Sequence, residues 1–302
     1  MDRLEAMRLL LHVADLGGFS AASRELGVPL PTVSRKVNEL EAHLGARLLV
    51  RSTRRTALTE AGQSYVAAAR RILEAVDAAE RNAAGEFDMP RGELVVTAPV
   101  LFGRLHMLPV VTDFLAAYPE VDVRLVLSDR NLRLFDDQVD VAARIGDPPV
   151  SGLVATRIGE MRTVVCASPE TLARHGTPAA PQDLAALPCV NFGFLFPAAT
   201  WTFRAPEPGG RPIDVPIMPR LTVSTAEAAV VAAERGVGFA RVLRYQCVDA
   251  LAAGTVQLVL EDCECDPLPV NLLHAARRTL PSKTRAFLEF ATTGLRETLR
   301  PT

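Results

Sequence analysis

The 302-residue sequence lacks several features that mark whole classes of protein. No stretch approaches the roughly 18–20 consecutive apolar residues that span a bilayer, so we expect no membrane association. The apolar run at residues 9–11 lies inside an amphipathic pattern and has no small-residue cleavage site, which predicts a cytoplasmic protein without a signal peptide. Only five cysteines occur, scattered between residues 166 and 265, and this odd number argues against a secreted disulfide framework. The length predicts about two domains.

The net charge is also small, but it is unevenly placed. The whole chain carries −2, yet residues 31–58 hold six basic residues against two glutamates and carry +4, so the rest of the chain carries −6. The six are Arg35, Lys36, Arg47, Arg51, Arg54 and Arg55. A basic patch on an acidic chain is typical of phosphate binding, although a short charge run is more often a solvated surface. The local fold has to decide between the two.

The N-terminal residues predict a helix-turn-helix. Apolar residues at helical spacing indicate helices over residues 3–15 and 21–26, with Ser20 as a candidate N-cap of the second. Gly27 ends that helix, and Pro31 suits the first turn of a third. The third helix has an apolar stripe in steps of four, three and four residues: Val33, Val37, Leu40 and Leu44. Two helices around a tight glycine turn are typical of this DNA-binding motif.

The third helix and the segment after it carry a polar, cationic face. Arginine can bind base edges or phosphates, an asparagine amide can bind a base, and hydroxyl groups can bind phosphate oxygens. Residues 48–50 and the R-S-T-R-R run that follows predict a β-wing with a cationic tip. Any one of these residues is more often a solvent-exposed residue without a specific role, but their combination predicts DNA binding. The predicted DNA-binding residues are Ser20, Pro31, Thr32, Ser34, Arg35, Asn38, Arg51, Ser52, Thr53, Arg54 and Arg55.

This region resembles the N-terminal signature of LysR-type transcriptional regulators, in the branch with an R-S-T-R-R wing. The matching segments are 21–26, 32–35, 40–41, 44–45, 48–49, 51–52 and 58–62. The sequence departs from the family at Pro29 and Leu30, where the family often has a capping serine and a glutamine near the bases. Neither side chain can hydrogen-bond, so base recognition is expected to rest more on Pro31, Thr32, Arg35 and Asn38.

A long helix is predicted after Thr59, its candidate N-cap, up to about residue 84. A stripe of apolar residues recurs there at heptad spacing: Tyr65, Ala69, Ile72, Val76, Ala79 and Ala83. The period alone fits an ordinary surface helix equally well. Because the helix follows a unit too small to bury it, we expect it to pair with a second copy, which presents two recognition helices to a near-palindromic site. The resemblance implies the same dimer, arranged further as a tetramer.

From residue 93 onward the sequence predicts an α/β domain. Buried-strand runs alternate with helical segments, including strands at 94–96, 121–127 and 139–145 and helices at 104–117 and 130–137. A second set extends to residue 299. This alternation predicts parallel sheets covered by helices. The predicted fold class is thus α/β with an N-terminal all-α winged helix-turn-helix (residues 1–60) and a linker helix with a hinge (residues 61–90).

The resemblance implies that residues 91–302 form an effector-binding domain with two lobes like a periplasmic binding protein. Lobe I comprises residues 91–162 and 269–302, and lobe II residues 163–268. Ligands of such sheets bind beyond the carboxyl ends of strands, at helix N-termini, which favours a small and anionic effector. The resemblance implies pocket segments that map onto these candidate effector-binding residues: Thr97, Pro99, Val100, Leu101, Phe102, Ser128, Arg130, Arg144, Asn191, Phe192, Ser224, Thr225, Phe239 and Arg241.

Other functions receive weaker support from the sequence. Cys263 and Cys265 with His274 form a weak zinc signal, and Cys166 with Cys189 is a candidate thiol switch on the same scaffold. An enzyme or solute-binding protein built on the α/β part leaves the basic wing and the heptad helix without a role. No nucleophile elbow, P-loop or zinc-protease motif occurs, so we predict no catalytic residues and no cofactor. The expected partners are promoter DNA, a small effector, further copies of the chain and RNA polymerase.

Overall fold

The computed structural model describes residues 2–51, 56–84, 89–129, 139–148, 152–192, 199–205, 207, 210–276 and 280–299. The chain divides into two compact units, Met1–Gly92 and Glu93–Thr302. The predicted wing tip at residues 52–55 and the predicted helix at residues 130–137 lie outside the described residues, and so does Arg130.

The N-terminal unit is a three-helix bundle with a two-stranded wing and a long final helix. Its elements are α1 (Arg3–Asp15), α2 (Phe19–Leu26), α3 (Leu30–Leu44), β1 (Leu49–Arg51), β2 (Thr56–Leu58) and α4 (Glu60–Ala84). The strands β1 and β2 pair antiparallel. The apolar stripes of the three helices meet in one core, which includes Ala6, Leu10, Val13, Ala22, Val33, Val37, Leu40 and Leu48. The predicted winged helix-turn-helix is confirmed.

The start of α2 differs from the prediction. Ser20 is not the N-cap: Gly18 occupies that position, and Ser20 lies in the first turn with no capping hydrogen bond at the helix start. The helix begins earlier because Phe19 packs against the core and so belongs to the buried face. The end of α2 is as predicted, since Gly27 adopts the left-handed conformation at φ 64°. Ser23 Oγ then donates to the Val28 carbonyl at 2.7 Å and holds the turn.

The helix α4 packs along α1. Thr59 caps it as predicted, because its Oγ1 accepts a hydrogen bond from the Gly62 N–H at 2.9 Å. Two ion pairs join the helices: Arg8 Nη2 lies 3.1 Å from Asp77 Oδ1, and Arg70 contacts Asp15. The first part of α4 is therefore bound to its own unit.

This packing corrects the predicted dimer stripe. Ala69 is 1% exposed and shares a helix face with the buried Val66 and Leu73, so it faces its own chain rather than a second copy. Ile72 is 44% exposed and Val76 half-exposed, so these two stay available for a partner. Tyr65 is half-buried against the N-terminal core. The side chains of Ala79 and Ala83 lie outside the described residues.

The C-terminal part alternates strands and helices. Its strands are β3 (Gly92–Ala98), β4 (Val121–Leu127), β5 (Val141–Ile145), β6 (Leu153–Met161), β7 (Thr163–Ala167), β8 (Cys189–Phe192), β9 (Ala199–Phe203), β10 (Ile213–Ile217), β11 (Pro219–Val223), β12 (Phe239–Leu243), β13 (Gln257–Val259) and β14 (Leu268–Ala275). Its helices are α5 (Val100–Ala117), α6 (Pro169–His175), α7 (Ala226–Glu234), α8 (Val248–Ala252) and α9 (Ser282–Thr298). Short 3₁₀ turns cover Pro181–Ala186, Arg244–Gln246 and Glu261–Cys263.

These strands form two five-stranded sheets, and both are mixed rather than parallel. The first sheet has the order β4-β3-β5-β14-β6, and the second has the order β11-β8-β12-β7-β13. β14 runs antiparallel to β5 and β6, and β7 runs antiparallel to β12 and β13. The prediction of purely parallel sheets is therefore wrong. Only Arg162 separates β6 from β7, so the chain passes from one sheet to the other without a crossover helix to reverse its direction.

Several strands were not predicted from the sequence. The nine-residue β6 has neither an apolar run nor a regular alternation, and the hairpin of β9 and β10 covers one face of the second sheet. The helix α5 begins at Val100, four residues before its predicted start, and contains a π-helical turn at Gly103–Met107. By length and composition alone α5 could span a membrane, with a mean hydropathy of 1.4. Phe102, Met107 and Phe114 place it instead in the core of the first sheet.

Candidate nucleic-acid interface and ligand cleft

The outer face of α3 is the candidate nucleic-acid interface. Val33, Val37 and Leu40 are 0–1% exposed and fix the inner face of the helix in the core. The opposite face therefore points outward and presents Pro31, Arg35 and Asn38, all exposed, while Thr32 and Ser34 are half-buried at its flanks. The structure thus brings the predicted α3 residues together on one surface. Ser20, exposed in the first turn of α2, is the predicted contact from outside α3 and the wing.

The cationic side chains of α3 form ion pairs with neighbouring glutamates. Arg35 Nη1 lies 2.7 Å from Glu39 Oε1, one turn along the helix, and the Arg35 side chain is 62% exposed. Lys36 is paired with Glu5 of α1. Exposed ion pairs of this kind stabilise a fold by at most about 1 kcal/mol, so Arg35 can leave Glu39 for a phosphate or a base. The pairing keeps the guanidinium on the outer face until then.

The wing is anchored to the end of α3. Glu41 Oε1 accepts hydrogen bonds from the Leu48 N–H at 2.7 Å and the Leu49 N–H at 3.0 Å. Arg51 and Thr56 are opposite each other at the end of the strand pair. The predicted contacts Ser52, Thr53, Arg54 and Arg55, and the side chain of Arg51, lie outside the described residues.

In the C-terminal unit, the candidate ligand cleft lies between the two sheets, where α5 meets the segments beyond the second sheet. Arg104 Nη2 of α5 donates to Glu227 Oε1 of α7 at 2.7 Å. Tyr245 packs edge-on against Phe102 and His106, with ring centroids 6.2 and 5.7 Å apart. Sequence reasoning did not identify Arg104, His106 or Tyr245, because contacts between residues more than a hundred positions apart leave no periodic signal.

Four predicted residues lie together at the carboxyl ends of the first sheet's strands. β3 and β5 are parallel neighbours with Thr97 opposite Ala142, so Thr97, Pro99 and Arg144 lie at the same end of the sheet, and the Ser128 N–H donates to the Ala98 carbonyl at 2.9 Å. The Thr97 hydroxyl is buried and donates to the Val126 carbonyl at 2.8 Å, so its role is structural.

The first turn of α5 corrects two ligand predictions. Leu101 is 6% exposed and Phe102 is fully buried, because the helix begins at Val100 and turns both side chains into the core. The Val100 N–H is occupied by a carboxylate of the chain itself, Asp129 Oδ1 at 3.0 Å. The predicted anion site at this helix start is therefore filled from within.

The guanidinium group of Arg144, in the candidate cleft, is only partly hydrogen-bonded. Its Nη1 donates to the Ala143 carbonyl at 2.8 Å, but its Nη2 is buried and has no hydrogen-bond partner among the described residues. Burial lowers the pKa of Arg144, and the nearby Asp129 carboxylate partly offsets this. A buried guanidinium N–H without an acceptor is costly, and a ligand oxygen would satisfy it.

The second sheet contributes the other side of the cleft. β8 and β11 are parallel, and Asn191 and Phe192 lie opposite Thr222 and Val223, so both are close to the start of α7. Ser224 is exposed there, and Thr225 Oγ1 caps α7 by accepting from the Ala228 N–H at 3.3 Å. The predicted residues Asn191, Phe192, Ser224 and Thr225 therefore share one end of the sheet.

Phe239 and Arg241 do not belong to this group. Phe239 is fully buried under the hairpin of β9 and β10. Arg241 Nη2 donates to the Thr202 carbonyl at 2.9 Å, and the guanidinium lies 5.7 Å from the centre of the Phe203 ring. Both predictions are wrong because these side chains project from β12 towards the hairpin, away from the face that α7 covers.

The cysteines and the candidate zinc ligands are engaged elsewhere. Cys166 lies on the face of the second sheet covered by α7, in the same buried cluster as Cys247, whereas Cys189 lies on the opposite face. The predicted pairing of Cys166 with Cys189 is therefore wrong. Burial raises the pKa of Cys189 to about 12. The Cys265 thiol donates to the Thr202 carbonyl at 3.3 Å, and His274 contacts the Ala275 carbonyl at 3.0 Å.

His106 predicts a pH dependence of the C-terminal unit. Burial lowers its pKa below the ordinary value of about 6.5, and neither ring nitrogen has a partner among the described residues. As the pH falls through that value, the unfolded chain takes up a proton that the folded chain does not, so the free energy of unfolding should decrease. We expect His106→Phe to weaken this decrease in urea titrations on both sides of the ordinary pKa. His175→Phe, at an exposed position, serves as the control, and an unchanged pH dependence in His106→Phe would contradict the assignment.

Comparisons with known proteins cover both units. The lysR-family model of bacterial regulatory helix-turn-helix proteins matches residues 4–63, and the LysR substrate binding domain model matches residues 88–296. The chain is 32% identical to a probable HTH-type transcriptional regulator LtrA of Klebsiella pneumoniae, over 96% of this chain and 94% of that protein. It is 33% identical to the HTH-type transcriptional regulator CrgA of Neisseria meningitidis serogroup C, over 95% of each chain. The solved structure of CrgA from Neisseria meningitidis, a LysR-type transcriptional regulator, covers 96% of this chain and 98% of its own at a TM-score of 0.59 and 31% identity.

Proposed function

Because the chain belongs to the LysR-type family of DNA-binding transcriptional regulators, we propose how its parts divide that work. Residues 1–60 bind promoter DNA, residues 61–90 form the dimerisation helix and hinge, and residues 91–302 bind the effector. Within the last part, lobe I spans residues 91–162 and 269–302, and lobe II spans residues 163–268. The sheets support this division, since the first draws its strands from lobe I, apart from Leu268, and the second from lobe II.

DNA binding is assigned to α3 and the wing. We propose that α3 enters the major groove, that Arg35 and Asn38 contact bases, and that Ser34, Thr32 and the wing contact the phosphate backbone. The observation that supports this is the two-sided character of α3: Val33, Val37 and Leu40 are buried, whereas Arg35 and Asn38 are exposed on the opposite face.

The assembly is proposed as a homodimer or homotetramer acting in the cytoplasm, with RNA polymerase as a further partner at the promoter. Ile72 and Val76 support pairing through α4, because both remain accessible after the helix has packed on α1. Two copies of α3 would then contact the two halves of a near-palindromic operator.

The effector is proposed to be a small anion whose carboxylate or phosphate oxygen binds Arg144. The buried Nη2 of Arg144 supplies the donor, and Asn191, Ser224 and Thr225 supply polar groups from the other lobe. An effector that binds the closed arrangement of the lobes better than the open one shifts the population towards it. The exposed Arg104–Glu227 pair joins the lobes and would break on opening.

The direct test is a salt series of binding to the DNA upstream of the chain's own gene, compared with random DNA of equal length. An operator-binding regulator should prefer its own upstream DNA, and its affinity for both should fall steeply with salt because phosphate contacts release counterions. Absence of binding even at low salt would overturn the proposal.

Arg35→Ala should relax sequence discrimination. If Arg35 contacts a base, its loss reduces the difference between specific and random DNA by about 1–3 kcal/mol. Arg285→Ala removes the same charge from an exposed position on α9 and should leave this difference unchanged. Fluorescence anisotropy with both DNAs measures it. An equal weakening on specific and random DNA would show that Arg35 contacts phosphate only.

A further inference from the structure

The first turn of the recognition helix is apolar and exposed. Leu30, the first residue of α3, is 42% exposed, and its neighbours Pro29 and Pro31 are also exposed. No side-chain hydrogen bond caps this end of the helix. A leucine at such a position makes no evident contribution to the core, so its exposed surface requires another explanation. We propose that Leu30 is a specificity-determining residue that packs against the C5-methyl group of a thymine in the operator; this inference rests on the proposed DNA-binding function.

The helical geometry places Leu30 beside the polar contacts of α3. At about 100° per residue, Leu30, Ser34, Asn38, Pro31 and Arg35 fall within one arc of about 140°. The buried residues Val33, Val37 and Leu40 occupy a separate arc outside it. Leu30 therefore lies at the N-terminal edge of the face that carries Arg35, and the N-terminal residues of a recognition helix are those that contact base edges.

The chemistry of the groove then selects the base. Thymine alone among the four DNA bases presents a methyl group in the major groove, where the other edge groups are hydrogen-bond donors or acceptors. The Leu30 side chain can neither donate nor accept, so it gains nothing from those groups and leaves them desolvated. Burial of a methyl group against it is favourable, which makes thymine the preferred base opposite Leu30.

The experiment uses the full-length chain and an operator obtained by selection from random DNA. Each thymine is replaced singly by deoxyuridine, which removes only the C5-methyl group. For the wild-type chain we expect one thymine in each half-site at which this replacement weakens binding about fourfold, as for the loss of one buried methyl group. Every other thymine that lacks a methyl contact should tolerate the replacement.

The variant Leu30→Ala completes a double-mutant cycle. Its binding should be weaker on the thymine operator and insensitive to deoxyuridine at that thymine, because the contact is already lost. Leu16→Ala is the matched control, since Leu16 is also 42% exposed in the same unit but lies at the end of α1. It should keep the wild-type sensitivity to deoxyuridine.

Two outcomes would overturn the assignment. The first is tolerance of deoxyuridine at every thymine by the wild-type chain. The second is the same deoxyuridine effect in wild type and Leu30→Ala, which would assign the methyl contact to another residue. Selection that enriches no sequence at all would instead contradict the proposed function, so the two failures can be told apart.

Discussion

Replacing Gly62 with alanine is expected to destabilise the N-terminal unit by about 2 kcal/mol or more and to remove DNA binding. Gly62 lies in the first turn of α4, where an added Cβ would sit 2.0 Å from the Leu48 carbonyl oxygen and 2.9 Å from its carbon. A backbone carbonyl cannot rotate aside like a side chain, so α4 or the wing must move. Alanine gains about 1 kcal/mol over glycine inside a helix, which is too little to offset this collision.

The matched control is Gly294→Ala in the middle of α9. There an added Cβ would meet only Val110 Cγ2 at 3.5 Å, an ordinary contact, so the variant should be neutral or slightly more stable. Thermal unfolding followed by circular dichroism, with anisotropy on operator DNA, measures both effects. Retention of wild-type stability and DNA affinity by Gly62→Ala would show that α4 does not approach the wing as closely as described.

The second large effect is expected at Arg144, with stability and function changing in opposite directions. Arg144→Met keeps the length of the side chain but removes a partly buried charge whose Nη2 has no acceptor among the described residues. Replacement of an imperfectly paired buried charge by an apolar side chain can stabilise a fold by about 1–4 kcal/mol. An anionic effector would lose its partner and bind about a hundredfold more weakly, since truncating a buried charged pair costs about 2–5 kcal/mol.

Isothermal calorimetry with small carboxylates and phosphates measures effector affinity, and urea denaturation measures the free energy of unfolding. Arg124→Met is the control, because Arg124 is more than half exposed and pairs with Glu93 at 3.4 Å outside the cleft. It should change neither effector affinity nor stability by more than about 1 kcal/mol. Undiminished effector binding by Arg144→Met, or an effector that is neutral or cationic, would remove Arg144 from the site.

The features that could be predicted from the sequence are those that depend on residues close together along the chain. The three N-terminal helices, the Thr59 cap and the long α4 were predictable because helical periodicity and capping depend on residues a few positions apart. The buried Val33, Val37 and Leu40 of α3 and its outer Arg35 followed from the same periodicity, whereas Leu44, the last residue of the helix and also predicted to be buried, is 38% exposed. Ser20 was misplaced because the helix begins two positions earlier than predicted, with Gly18 as the cap and the partly buried Phe19 as its first residue.

Long-range features could not be predicted in this way. The Arg104–Glu227 pair joins residues 123 positions apart, and Cys166 and Cys247 share a buried cluster only once the second sheet has formed. Phe239 and Arg241 were predicted in the cleft from the family resemblance, but both side chains contact the covering hairpin instead. β6 was missed because its residues are exposed and buried without the regular alternation of a half-buried strand.

The position of β14 has a consequence for how the chain folds during synthesis. This strand lies inside the first sheet, between β5 and β6, yet it is made after every strand of the second sheet. A nascent chain can therefore complete lobe II on the ribosome while lobe I still has an open gap in its sheet, with β6 unpaired and the face for α9 uncovered. Domains generally fold in order of synthesis, but here the earlier lobe must wait for the last segment to emerge. Premature termination after residue 267 would leave lobe II intact and lobe I exposed to chaperones and proteases.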